Sequence, residues 1–150
     1  MIRLGLDLHG VITVDPSFFS GLSAFMIGEG NEVYIVTGRE DGDELRAEMT
    51  ENGMENDGGR LYTNVLSITT YQKAIGTPIQ YLDGRKSQPM MDPAVWNPTK
   101  AMLCATAGVD IMIDDSDIYE KYFRDIKTQY ITYTPAVRYF LTKIFSYGGI

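Results

Sequence analysis

Apolar and polar positions fall in blocks along the chain, and the blocks alternate between two periods. Leu4, Leu6 and Leu8 sit among small or apolar neighbours, as a strand covered on both faces would read, and His9, Gly10 and Val11 begin a turn. Asp15-Pro16 reads as a cap followed by a first-turn proline. Phe18, Phe19, Leu22, Phe25 and Met26 then recur at steps of three and four, which predicts a packed helix ending near Gly28 to Gly30. EVYIVTG (residues 32 to 38) is the second predicted strand. Thr37-Gly38-Arg39 closes it with a polar turn into an acidic helix start, EDGDELRAEM, and Asn52-Gly53 stops that helix.

The pattern weakens in the middle of the chain and then returns. ENDGG (55 to 59) reads as a loop, and LYTNVLSI (61 to 68) fits either a strand or a buried helix. A short strand is predicted around Ile79 to Leu82. The segment DGRKSQPMMDPAVWNP (83 to 98) carries three prolines and little periodicity, so it reads as a long irregular loop of the kind that often serves function. TKAMLCATAGV reads as a helix with Gly108 near its C-terminus, VDIMI (109 to 113) as a buried strand, and DIYEKYFRDI as a helix. TQYITYT and AVRYFLTKIF follow as strand and terminal helix. Strands separated by helices of this length imply right-handed crossovers and a parallel sheet. The predicted fold is therefore a doubly wound, Rossmann-like α/β domain with helices on both faces.

At 150 residues the chain reads as one domain, 1–150, long enough to bury roughly 68–70% of its unfolded surface. The single Cys104 cannot form an internal disulfide, and MIRLGLDLHG lacks the features of a secretory leader. A reducing, cytoplasmic setting is expected. No apolar run approaches the roughly 20 residues of a membrane helix. The formal charge of −7 repels polyanions, so neither a membrane nor duplex nucleic acid is the expected partner. A small anionic substrate is still allowed, because a local cation can reverse the field inside one pocket.

Three predicted strands end on distinctive groups: Asp7, Thr37 and Asp114-Asp115. In a parallel sheet those ends share one edge, beyond which ligands bind. Carboxylates brought together from two strands repel unless a cation lies between them, and hard oxygen ligands suit Mg²⁺. Thr37, with the backbone amides of Gly38 and Arg39, offers donors to a phosphate. Lys100, fourteen positions before Asp114, begins the predicted helix before that strand and could supply a second cation.

DLHGVIT, the apolar strand ending in TGR, a lysine opening the helix before a strand, and IDDS together resemble the four ordered motifs of the haloacid dehalogenase (HAD) superfamily, most of whose members are phosphatases. The motifs span residues 7 to 115, and no stretch between them is long enough for a large cap domain. The resemblance implies that Asp7 attacks phosphorus to give an aspartyl phosphate, which water hydrolyses. It implies Mg²⁺ held by the Asp7 carboxylate, the backbone carbonyl of His9 and the acid of the fourth motif. Thr37 and Lys100 would grip the phosphoryl oxygens. Asp115 aligns as the inner ligand, with Asp114 acting through a water. The substrate expected on this basis is a nucleoside monophosphate or a phosphosugar, and the resemblance leaves room for a homo-oligomer in which a partner subunit forms the lid.

His9 departs from the family pattern, which usually has an Asp there to protonate the leaving oxygen and later activate water. An imidazole, with an unperturbed pKa of about 6.5, can do the same work, and His9 is the only histidine. Two other readings stand beside it. One is a HAD-fold binding module with little or no turnover, His9 offering only its carbonyl. The other is hydrolysis of a carbon–halogen bond, suggested by the missing Asp and opposed by the carboxylate pair. Lys86 competes with Lys100, Arg39 reads more simply as ordering its turn, Phe18 and Phe19 as core, and Trp96 either anchors the loop or lines the pocket. Cys104 reads as a small buried residue.

Overall fold

The computed structural model describes residues 1–55 and 58–149, so the loop read at 55 to 59 lies outside the described residues at 56 and 57. Five strands form one parallel sheet: β1 (Arg3–Asp7), β2 (Glu32–Thr37), β3 (Asn64–Ser67), and two from the second half that we number after a small hairpin. That hairpin pairs β4 (Gln80–Tyr81) antiparallel to β5 (Pro89–Met90), with Leu82 N–H donating to the Gln88 carbonyl at 2.9 Å. The remaining sheet strands are β6 (Ile111–Asp114) and β7 (Gln129–Thr132), and the order across the sheet is β3-β2-β1-β6-β7. The chain therefore runs outward from β1 in one direction and then in the other. The switch lies between β1 and β6, where an α/β sheet opens a ligand crevice.

The predicted α/β fold is the observed one. Helices α1 (Pro16–Gly28), α2 (Asp43–Glu51) and α5 (Pro135–Gly149) pack on one face, burying Phe19, Leu22, Met26, Leu45, Met49 and Leu141 against Leu4, Leu6 and Ile35. On the other face, α4 (Pro93–Ala107) and the chain after β6 bury Ala101, Cys104 and Phe123 against Val36, Val109 and Met112. Asp15 caps α1 by accepting from the Phe18 N–H at 3.4 Å, and Phe18 and Phe19 stack edge to face, 5.0 Å apart, with Phe19 buried in the core against Tyr133. Residues 61 to 68 resolve into β3, followed by α3 (Ile68–Ala74), a short helix that the apolar pattern did not separate from the strand. Among the described residues no helix is long and apolar enough to cross a membrane.

Two predicted elements are corrected. The stretch 83 to 98 is not irregular throughout: it closes the hairpin through β5, and α4 begins at Pro93. Asp92 accepts from the Ala94 N–H at 2.9 Å, and Pro93 occupies the first helical position, where no donor is needed. Pro98 removes one internal hydrogen bond, a penalty of roughly 3 kcal/mol that burial of Thr99, Lys100, Ala101 and Cys104 just beyond it offsets. Lys100 consequently lies in the middle of α4, not at its start. The helix predicted at 117 to 126 is only one turn, Glu120–Phe123. The spacing of Tyr119, Tyr122, Phe123 and Ile126 that suggests a helix is met instead by successive tight turns packed on the second core, with Phe123 and Tyr130 rings 4.9 Å apart.

Candidate functional site

The ends of β1, β2 and β6 carry the residues singled out from the sequence, and the parallel register sets them side by side. Leu6 lies opposite Ile113 and Asp7 opposite Val36, so Asp7 and Asp114 end neighbouring strands, and Thr37 comes one residue further along β2. They border a cleft of about 700 Å³ that also includes His9, Gly10, Gly38, Arg39, Lys100 and Asp115.

At its floor Lys100 Nζ donates to Asp114 Oδ2 at 2.6 Å and to Asp7 Oδ1 at 3.3 Å, with all three residues buried. Burial pushes the Asp7 carboxyl up to about 8; Lys100 opposes that shift, and the nearby Asp114 and Asp115 add to it. Burial by itself would lower the Lys100 pKa, but Asp7 and Asp114 outweigh it and keep the ammonium charged. The second Asp114 oxygen accepts from the Ser116 N–H at 3.0 Å, which leaves that side chain fully engaged. Lys86, the competing cation, lies 3.7 Å from Glu40 on the hairpin side and does not reach Asp7.

Asp115 is exposed and leans over Gly10. A Cβ on Gly10 would lie 2.0 Å from Asp115 Oδ2, and φ there is +83°, so both space and backbone conformation call for glycine. Oxygens of Asp7, Asp114 and Asp115 lie within 4.8 Å of one another. Asp7 keeps its proton near neutral pH until a cation displaces it; three carboxylates against one ammonium would then leave two negative charges among hard oxygen donors, a set that fits a divalent cation such as Mg²⁺. Asp114 is committed to Lys100 and an amide, while Asp115 is free to face Asp7.

The loop after β2 is fastened from β3 and α3, a support the sequence did not reveal. Thr69 donates its hydroxyl to the Gly38 carbonyl at 2.6 Å, Ser67 donates to the Arg39 carbonyl, and the Asp41 N–H donates to Thr70 Oγ1 at 2.8 Å. Thr37 is buried, and its hydroxyl accepts from the Arg39 N–H at 3.2 Å. That amide is thus turned to Thr37 rather than into the cleft. Arg39 itself pairs with Glu48 of α2, in keeping with a turn-ordering role.

His9 stands at the rim, with its side chain 47% exposed, and its Nε2 contacts Glu48 and lies 3.0 Å from Arg39 Nη1. Glu48, missed in the sequence because it belongs to an ordinary acidic helix face, holds both. Trp96 does line the cleft: its indole N–H donates to the Tyr119 hydroxyl at 2.9 Å, and the Tyr119 ring lies 4.8 Å from Lys100 Nζ. The benzo edge of the indole covers Gly38, where a Cβ would come within 2.3 Å of the ring. Tyr130 donates to the Ser116 carbonyl and steadies the loop that carries Asp115. Cys104 is buried in the second core, and burial pushes its thiol up to about 12, so it is a packing residue and not a nucleophile.

No protein-family model matches the chain, and no curated protein matches it. A solved structure described as an uncharacterized protein from Corynebacterium glutamicum ATCC 13032 Kitasato is similar over 100% of this chain and 97% of its own, at 16% identity and a TM-score of 0.58. That likeness carries the fold and says nothing of chemistry.

Proposed function

We propose that the chain is a Mg²⁺-dependent phosphomonoester hydrolase of the HAD type, with Asp7 as nucleophile. The observation that carries this reading is the buried cluster of Asp7, Asp114 and Lys100 at the switch point of the sheet, with Asp115 beside it. A buried carboxylate with one ammonium and two further acids as neighbours is poorly placed as a simple structural ion pair. It is well placed to meet a cation and an electrophilic phosphoryl group together.

In the proposed reaction an Asp7 oxygen bonds to phosphorus as the bond to the ester oxygen breaks, and the departing oxygen takes a proton from the His9 imidazolium. Water then attacks phosphorus, gives its proton to His9 and breaks the Asp7–phosphorus bond, releasing inorganic phosphate. Lys100 and Thr37 hold the phosphoryl oxygens. Asp7, Asp115 and the His9 carbonyl would hold Mg²⁺, with Asp114 acting through a water; when bound, the ion offsets negative charge on the phosphoryl group and on the acids around it. Substrates of the class, a nucleoside monophosphate or a phosphosugar, fit a cleft of this size, and among the described residues no large cap domain covers it.

A second reading has its own observation. The His9 ring is already engaged by Glu48 and Arg39, as it would be in a binding domain that holds Mg²⁺ and phosphate without turnover. Phosphate release from a panel of phosphate esters, with and without Mg²⁺ and beside Asp7→Asn, separates the two. Magnesium-dependent release lost in Asp7→Asn is the result expected for the hydrolase. Silence across the panel, in a protein that still binds Mg²⁺, selects the binding domain.

A further inference from the structure

We propose that the phosphomonoester taken by this cleft carries a planar, uncharged ring, as a nucleoside monophosphate does, with Trp96 as its stacking surface and Gln88 reading the ring edge. The inference rests on the phosphatase reading for the phosphoryl end and on separate residues for the other end. Trp96 is fixed by two anchors, the Tyr119 hydroxyl on its indole N–H at 2.9 Å and the bare backbone of Gly38 under its benzo edge. A rigid aromatic surface therefore stands between the loop of Thr37 and the ring that borders Lys100. Such a surface loses little entropy when a flat ligand stacks on it.

The hairpin lines the same cleft. Ser87, Gln88 and Pro89 line the cleft and none is charged. The side-chain amide of Gln88, exposed and without a hydrogen bond to another described residue, offers a donor and an acceptor together, the pairing that the edge of a nucleobase presents. The cations at the cleft are committed: Lys100 to Asp7 and Asp114, Arg39 to Glu48. A second phosphate or carboxylate on the ligand would meet no free counter-charge there. A phosphosugar, which has no planar ring, would leave the indole surface unstacked. A single phosphate with a neutral ring satisfies both ends.

Trp96 is the only tryptophan, so its fluorescence reports on this contact whether or not turnover occurs. The test uses two esters with the same phosphorylated sugar, a nucleoside 5′-monophosphate and ribose 5-phosphate, in the presence of Mg²⁺. The nucleotide is expected to change the fluorescence saturably and ribose 5-phosphate to leave it unchanged, in wild type and in Asp7→Asn alike. The kcat/KM ratio of nucleotide to ribose 5-phosphate is expected to be about 10 or more, within the roughly 5- to 150-fold that one stacked base supplies. Trp96→Leu should bring that ratio close to one. Gln88→Ala, on an exposed hairpin position that the core does not use, should lower it about threefold, the loss of one hydrogen bond. Turnover of both esters with equal kcat/KM and silent fluorescence overturns this inference and leaves the phosphatase reading standing. A saturable fluorescence change without phosphate release upholds the ring contact and overturns the phosphatase reading instead. Silence in both measurements overturns both.

Discussion

Replacing Lys100 with Met tests the centre of the cleft without relying on any substrate. Lys100 is 3% exposed, and its ammonium sits between Asp7 and Asp114, themselves 7% and 0% exposed, at 3.3 and 2.6 Å. Methionine nearly preserves the volume of the stem, so packing of α4 on the second core is kept and the change is one of charge. Removing one partner of a buried ion pair leaves the other charge uncompensated and costs roughly 3–5 kcal/mol. Here Asp114 loses that partner outright, while Asp7, its carboxyl pushed up to about 8, can hold a proton in its place, so the whole of that range is expected. In a chain of this size each kcal/mol moves Tm by about 2–4 °C, so a fall of roughly 6–20 °C is expected.

The sign of the pH dependence sharpens the test. Without Lys100 the Asp7 carboxyl loses the neighbour that holds its pKa down, and the folded state keeps that proton over a wider range than in wild type. Stability of the variant must then fall more steeply than that of wild type as pH rises from about 5 to 8, the direction already set by the raised Asp7 pKa. Urea unfolding of both proteins at pH 5.5 and 8, in chelator, measures this directly. A difference under about 1 kcal/mol at pH 8, or one that shrinks as pH rises, would refute the picture of two buried acids sharing one ammonium.

The same raised carboxyl makes a statement about wild type: an acid whose folded pKa is about 8 against an ordinary 3.8 stabilises the fold at low pH, and that contribution is lost as pH rises toward 8. Thermal unfolding in chelator should show that loss, and Mg²⁺ should restore Tm by an amount that grows over the same window; a shift independent of pH counts against a cation at Asp7. Gly10→Ala forces a side chain into Asp115 at a positive φ. It should cost about 1–3 kcal/mol and weaken Mg²⁺ binding, measured by calorimetry, and unchanged affinity would remove Asp115 from the site. His9→Ala is expected to slow phosphate release more than it weakens Mg²⁺ binding, and equal release by variant and wild type would end the acid/base role.

The sheet was legible because each buried strand is a short, dense apolar run, and the residue that ends it changes character abruptly: Asp7 after LGL, Thr37 after YIV, Asp114 after IMI. Those same abrupt ends are why Asp7, Thr37 and Asp114 could be placed on one edge before any contact was known. What failed was punctuation. Three prolines between residues 83 and 98 argued for a loop, yet one sits where a helix has no donor to lose and another is tolerated by the packing beyond it, so α4 begins ahead of Lys100. At 117 to 126 a real apolar stripe misled in the other direction, since turns can satisfy a three-and-four spacing over one repeat. The supports of the site were invisible for a third reason. Ser67, Thr69, Glu48 and Tyr130 act through pairs 9 to 39 residues apart, and nothing local to them differs from an ordinary polar position.

That division bears on how an acidic chain could serve an anionic ester. The charge of −7 is a property of the whole surface, while the cleft floor is governed by a few atoms held out of water. Charges of the two kinds are set by different parts of the sequence. Exposed acids such as Asp43 and Glu44 begin helix α2 and repel polyanions at long range, screened within about 10 Å at ordinary salt. Lys100 is buried against two acids, so its field at the mouth of the cleft is largely cancelled. On the proposed reading, attraction for a phosphate depends on Mg²⁺ reversing the balance among Asp7, Asp114 and Asp115, and the metal would have to bind before or with the ester. Phosphate affinity in chelator should therefore be weak and should rise with Mg²⁺ concentration until the ion saturates; calorimetric titration of inorganic phosphate at several Mg²⁺ concentrations measures it. Equal phosphate affinity with and without the ion would show that Lys100 and the Thr37 loop suffice by themselves, and the ordering argued from charge would be wrong.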